Sequence, residues 1–288
     1  MIAVFKREFA SYFRGITGYV FGAFLLLFVG IYMVAYNLQG GIANFEYVMN
    51  SISFIFLFVV PILTMRVLAE ERRQKTDQLL YSLPLTMTEV ILGKYAALVA
   101  VFALPMGIVC LYPLLLSIFG SVYMPAAYSA IAGFFLLGMA LIAIGLFVSS
   151  ITESQAIAAG VCFVALLFNY LIAGLAAFVP ATAFASFAAL AVVALLIVLI
   201  VYLMTRNSTV CFIAAFLLLG GLSVWYIVNA SAFEGLFQAV VVKLSLFEQF
   251  YVFVNGVFDL TSVVYLLAVT AVFLILGVQS MEKRRWSE

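Results

Sequence analysis

The 288-residue sequence contains no histidine, and only 9% of it is charged. Losing histidine removes the commonest general base and the commonest metal ligand. Histidine-dependent triads and the usual zinc sites are therefore excluded. An ordinary soluble domain carries about 25% charge, whereas here hydrophobic residues reach 68%. Such a chain cannot cover a water-facing surface with polar groups, so a soluble globule is excluded as well. The 13 Lys and Arg nearly balance 12 Asp and Glu, with no basic stripe of the kind that tracks phosphates, so no nucleic-acid partner is expected. The three cysteines, Cys110, Cys162 and Cys211, lie in apolar runs. There a thiol acts as a small hydrophobe and supports no disulfide or redox chemistry.

What the sequence does contain is long uncharged apolar runs, at 16–36, 47–65, 95–119, 127–149, 156–179, 183–204, 210–228 and 260–280. Each approaches or exceeds the roughly 20 residues a helix needs to cross a bilayer. Only helices and closed barrels satisfy every backbone group in lipid, and the short alternating strands of a barrel are absent from the pattern. The expected fold is all-α and polytopic, with about eight transmembrane helices. Placing the N-terminus inside leaves Lys6, Arg7, Arg14, Arg66, Arg72, Arg73, Lys75, Lys94, Arg206, Lys283, Arg284 and Arg285 in the cytoplasm, with Lys243 alone outside. The positive-inside rule thus predicts an N-in, C-in topology. The first run has no small-residue cleavage site after it and reads as a retained span rather than a signal peptide.

The segments between runs carry the chemistry. Residues 1–15 place Ile2, Phe5, Phe9, Tyr12 and Phe13 at helical spacing, with Lys6, Arg7, Ser11 and Arg14 around the rest of the wheel. This predicts an amphipathic elbow helix in the membrane interface. The segment 66–84 is the densest charge cluster. Its Glu70, Glu71, Arg72, Arg73, Gln74, Lys75 and Gln78 suit a helix with i,i+3 and i,i+4 pairs, ending in apolar Leu79, Leu80 and Leu83. Any basic loop fixes topology, but mixed charge beside an apolar tip also suits docking on a soluble partner.

Within the runs, Pro105 and Pro113 should kink the third span, and Gly133, Gly138 and Gly145 of the fourth should permit close helix packing. Asn169, beside Tyr170 in the fifth, is the clearest polar group at depth. It reads as pathway lining or as an interhelical hydrogen bond. Ser53 and Thr64 are weaker candidates, because hydroxyls bond back to their own helix. Residues 230–258 are too apolar for a solvated loop and too charged for a span, so two short helices in the outer interface are expected. Asp259, followed by Leu-Thr-Ser, reads as a helix cap. No string binds nucleotide: Gly93-Lys94-Tyr95 lacks the glycine spacing and the Ser/Thr for magnesium. No catalytic and no metal residues are assigned.

The stretch Arg66–Ala97 resembles the cytoplasmic signature loop of bacterial ABC-2-type transporter permeases, in the group of gliding-motility and copper-related permeases. The matching positions are Arg66, Ala69, Glu70, Glu71, Arg72, Arg73, Thr76, Leu79, Leu80, Pro84, Gly93 and Lys94. A second match runs through Phe247-Glu-Gln-Phe250, Gly256–Leu260, Tyr265 and Glu282–Trp286. The resemblance covers most of the first 180 residues and the last 45. The chain departs from the pattern at Gln74-Lys75, where relatives carry glycine, and in a helical hairpin at 183–229 that reads as an insertion into a six-span fold. The resemblance implies a permease subunit in a bacterial cytoplasmic membrane, paired with a second permease protomer. It also implies two ATP-binding cassette subunits, which would hold ATP and Mg while this chain binds no cofactor. Glu70, Glu71, Arg72, Arg73, Lys75, Thr76, Asp77 and Gln78 would form the coupling helix, with Glu153 a second cytoplasmic contact. The pathway would run near the second and fifth spans, where Ser53, Thr64, Asn169 and Tyr170 lie.

Three other readings compete. An ion-driven secondary carrier usually keeps an ionisable residue at the midplane, and the runs contain none. An intramembrane enzyme needs a base, a metal or a carboxylate pair, which the runs also lack. A permease-like subunit that passes ATP-driven motion to an envelope process, with no solute crossing, has the same sequence features as an exporter. An amphipathic or lipid-like cargo is the weak indication of the lining.

Overall fold

The computed structural model describes residues 1–74, 86–205 and 208–285. It is 84% helical, with no strand among the described residues. Among the described residues, six helices are long and apolar enough to cross a membrane: Thr17–Gln39, Glu46–Arg73, Met87–Leu116, Met124–Ile151, Gln155–Ala176 and Leu260–Lys283. A bent pair, Leu236–Leu244 and Leu246–Val254, would make a seventh if it counts as one span. The count from the runs was eight. The runs at 183–204 and 210–228 are helical as expected, but their described apolar lengths, Ala183–Leu196 and Phe212–Val228, are shorter than a span. The chain is a multi-pass helical membrane protein.

Two compact units divide the chain: residues 1–168 with 249–288, and residues 169–248. The first begins with α1 (Ile2–Arg14), α2 (Thr17–Met33, continued by a π-helical turn Val34–Gln39) and α3 (Glu46–Ile52). A 3-10 turn, Ser53–Ile55, leads to α4 (Phe56–Thr64), followed by α5 (Ala69–Arg73) and α6 (Met87–Val109). Then come α7 (Tyr112–Leu116), α8 (Met124–Ile151) and α9 (Gln155–Ala176), the last of which runs past the unit's edge. Pro105 lies inside α6, and the helix is interrupted at Cys110–Leu111, between α6 and α7. Pro113 then sits in the first turn of α7, where a missing N–H costs nothing.

α8 lies at the centre because its apolar residues run all round it and its glycines let neighbours in. An added Cβ on Gly133 would lie 2.6 Å from Phe253, and one on Gly138 or Gly145 would collide with Phe102 or Thr64 respectively. Phe56, Phe102, Phe134 and Phe250 fill the space around it, with Phe56 and Phe134 ring centres 4.3 Å apart. The outer faces stay apolar, as lipid contact allows: Ile118 and Phe119 are largely exposed.

In the second unit, α10 (Ala183–Thr205) and α11 (Ser208–Val228) pack as a hairpin. A 3-10 turn, Ala230–Phe233, inserts Phe233 among Phe187, Trp225 and Tyr226. Gly235, at φ +70°, then starts α12 (Leu236–Leu244), a backbone conformation that favours glycine. Gly235 N–H donates to the Ala181 carbonyl and Gln238 Nε2 to the Val179 carbonyl, closing the unit. The segment 230–258 thus holds two short helices, α12 and α13 (Leu246–Val254), bent by 80° at their junction. The last helix, α14 (Leu260–Arg285), belongs to the first unit and is capped by Asp259. Its Oδ1 and Oδ2 accept from Thr261 and Ser262 N–H, each at 3.1 Å.

Candidate functional site

The charged loop begins where the second span ends. Residues 65–68 interrupt the helix, and Ser149 of α8 repairs the break. Its Oγ accepts from the backbone N–H of Leu68 and Ala69, each at 3.2 Å. Those donors would otherwise be orphans of a helix start. α5 then places Glu70 and Glu71 in its first turn and Arg72 and Arg73 in its last, the order that the helix dipole favours. α6 starts with a reciprocal capping box between Thr86 and Glu89, which satisfies two more free donors.

Three elements meet at Lys94, one helical turn beyond that box. Lys94 is fully buried, with 0% exposure. Its Nζ donates to the Val67 carbonyl at 3.0 Å and to Glu8 Oε1 at 3.0 Å, and pairs with Glu71 Oε1 at 2.8 Å. An ammonium has three donors, so every one is used. Arg7 Nη2 closes the ring, 2.8 Å from Glu8 Oε1 and 2.9 Å from Glu71 Oε1. Two cations and two carboxylates make the cluster neutral, which is the condition for burying charge at tolerable cost. Burial alone would push the Glu8 carboxyl up, but the Lys94 charge and the hydrogen bonds from Arg7 and Lys94 hold it below the usual carboxylate range. The Glu8 hydrogen bond raises Arg7 above its ordinary value.

Other contacts fasten the same end. Gly93 brings α6 against α1, where an added Cβ would lie 3.0 Å from Val4. Tyr12 Oη donates to the Leu63 carbonyl at 2.7 Å, and burial raises its phenol above the ordinary value. Arg66 Nε donates to Glu70 Oε2 at 2.9 Å and Nη1 to Thr17 at 3.3 Å. Arg72 is buried, with Nη2 3.6 Å from Met281 Sδ of α14. Ser280 Oγ donates to the Ser150 carbonyl at 3.3 Å.

Glu70 to Arg73 and Glu153 therefore gather at one end of the first unit, Glu153 on the exposed turn between α8 and α9. Glu71 and Arg72 turn inward, while Arg73 and Gln74 face outward. Lys75, Thr76, Asp77 and Gln78, with Leu79, Leu80 and Pro84, lie outside the described residues. Thr64 is buried against Gly145 and donates back to the Val60 carbonyl of its own helix at 2.9 Å. Ser53 is buried in the 3-10 turn. In the second unit Asn169 Oδ1 accepts from Leu246 N–H at 3.1 Å, and Tyr170 meets Phe247 edge-on with ring centres 5.0 Å apart. Asn169 thus supplies the acceptor that the start of α13 lacks.

Reasoning from sequence missed Glu8 and the burial of Lys94. The available signals were a lone acid in a basic elbow and a lysine directly against an apolar run. The sequence matches no family profile and no curated protein. As a site, the junction forms no bond-making constellation. It joins the elbow, the loop and the third span into one piece.

Proposed function

We propose that the chain is the permease subunit of an ABC exporter in a bacterial cytoplasmic membrane. Two such protomers pair, and two separate ATP-binding cassette subunits hold ATP and Mg beneath them. The carrying observation is the Lys94 junction, in which one side chain ties α5, at the end of a mostly buried span, to the elbow and to the base of α6. A push on the outward Arg73 side of α5 would reach three elements together, whereas a loosely attached loop would absorb it. The resemblance of Arg66–Ala97 to ABC-2-type signature loops supports the same reading. Arg73, with Lys75 to Gln78, makes the docking face, Glu153 adds a second contact, and an amphipathic molecule is the cargo.

The test is co-purification with co-expressed ATP-binding cassette subunits from the same genome. The double variant Arg73→Glu, Gln74→Glu, at two exposed positions, should lose those subunits while its thermal unfolding midpoint stays within about 2 °C of the parent, as surface changes normally do. Failure of the parent chain to retain any ATP-binding subunit, or retention undiminished by the charge reversal, overturns the proposal.

A further inference from the structure

The end of the first unit opposite the charged junction holds a second, unrelated polar group. Glu46 is the only charged residue between Arg14 and Arg66, and it is 7% exposed. Asn44 Nδ2 donates to its Oε1, but its Oε2 has no hydrogen-bond partner among the described residues. Asn37, also buried, donates to the Ile42 carbonyl at 2.6 Å and leaves its own Oδ1 without a partner. A buried acceptor left unsatisfied is costly, and more so when it is charged.

Glu46 lines a cavity of about 510 Å³ together with Tyr47, Tyr123 and Asn255. The wall is completed where Gly256, at φ +77°, lets the chain turn close to Ala126, 3.3 Å from an added Cβ. Tyr47 and Tyr123 are exposed, so the cavity opens at the surface.

We propose that this cavity binds an organic ammonium group, with the Glu46 carboxylate as its counter-ion. One carboxylate matches one positive charge. A divalent metal wants several oxygen ligands with more than one carboxylate, and among the described residues no group of three His, Cys, Asp or Glu gathers. The volume lies in the range of roughly 300–1,000 Å³ typical of small-molecule sites, far more than a bare ion needs. Tyrosine rings attract ammonium groups through their negative faces, and the Glu46 carboxylate supplies the counter-charge at the cavity wall. The group can come from a lipid headgroup or from a free amine. The proposal is independent of what drives the protein.

Two arms distinguish the sources. In the first, full-length protein in phosphatidylglycerol nanodiscs is titrated calorimetrically with choline and with ethanolamine. In the second, protein purified from phosphatidylethanolamine-rich membranes is examined by native mass spectrometry for retained lipid. Saturable amine binding weakened at least tenfold by Glu46→Gln supports a free amine. Retention of phosphatidylethanolamine that Glu46→Gln abolishes supports a headgroup. Tyr123→Leu should weaken binding about threefold or more, and Tyr123→Phe should preserve it, because the ring and not the hydroxyl attracts the cation. Tyr123 is exposed, so this pair decides the matter should Glu46→Gln fail to fold. Absence of binding in both arms, binding indifferent to Glu46→Gln and to Tyr123→Leu, or calcium held more tightly than either amine overturns the proposal.

Discussion

Lys94 is charged, fully buried and saturated, with acceptors from α1, from the break before α5 and from α5 itself. Removing its charge strands Glu8 and Glu71 as largely buried carboxylates, and breaking one side of such a pair costs about 3–5 kcal/mol. Lys94→Met should therefore lower the thermal unfolding midpoint in detergent markedly, and Glu8→Gln added to it should recover part of the loss. Lys94→Arg should not substitute, since a guanidinium needs a wider, planar site. The pH dependence follows from Glu8. Its carboxyl is held below the usual range when folded, so its stabilisation is complete above the ordinary carboxylate pKa of about 4.3. It is lost as pH falls through the lowered value. The hydrogen-exchange protection factors of residues 1–14, corrected for the intrinsic pH dependence of amide exchange, should thus hold from pH 7 to about pH 5 and fall only in stronger acid. None of this pairing was legible beforehand. Glu8 and Lys94 stand 86 residues apart, and neither helical periodicity nor local charge spacing relates positions so distant.

Among the helices, α8 shows which sequence signals survive folding. Its glycines at 133, 138 and 145 were readable as a device for close approach, and each receives a side chain from a different neighbour: Phe253, Phe102 and Thr64. What remained invisible was which ring enters which gap. Phe102 is locked by Phe56, Phe134 and Phe135, so Gly138→Ala cannot be accommodated by a simple rotation. It should destabilise by about 1–3 kcal/mol, the usual cost of overpacking. Gly160→Ala on α9 meets nothing within 4 Å and should be neutral or slightly stabilising, since alanine favours helix. Comparing the two melting curves checks the assignment of α8 as the packed centre. The mixed charge of Glu70 to Arg73 suggested a partner-facing helix, yet Glu71 and Arg72 face the protein's own interior, because Lys94, Arg7 and α14 lie there.

For the whole molecule, apolar helices of this length define a multi-pass membrane protein, and the basic residues predict which end is cytoplasmic. Single cysteines at Arg73 and Glu153, in a chain with Cys110, Cys162 and Cys211 changed to Ala, should react with a membrane-impermeant maleimide only in inverted vesicles. A cysteine at Tyr123 should react only in intact cells. A reversed pattern would place the charged junction outside and remove it from reach of any ATP-binding subunit. Composition and run length alone determined the helical membrane class and the approximate positions of the principal spans, because lipid forces each span to satisfy its backbone internally and so writes its length into the sequence. Tertiary structure alone decided which charges are spent inside the protein and which face outward. It also placed an unpaired Glu46 carboxylate oxygen at a tyrosine-lined cavity. Those outcomes depend on side chains from separate helices meeting at a few ångströms, and hydrophobic periodicity carries no record of partners that distant along the chain.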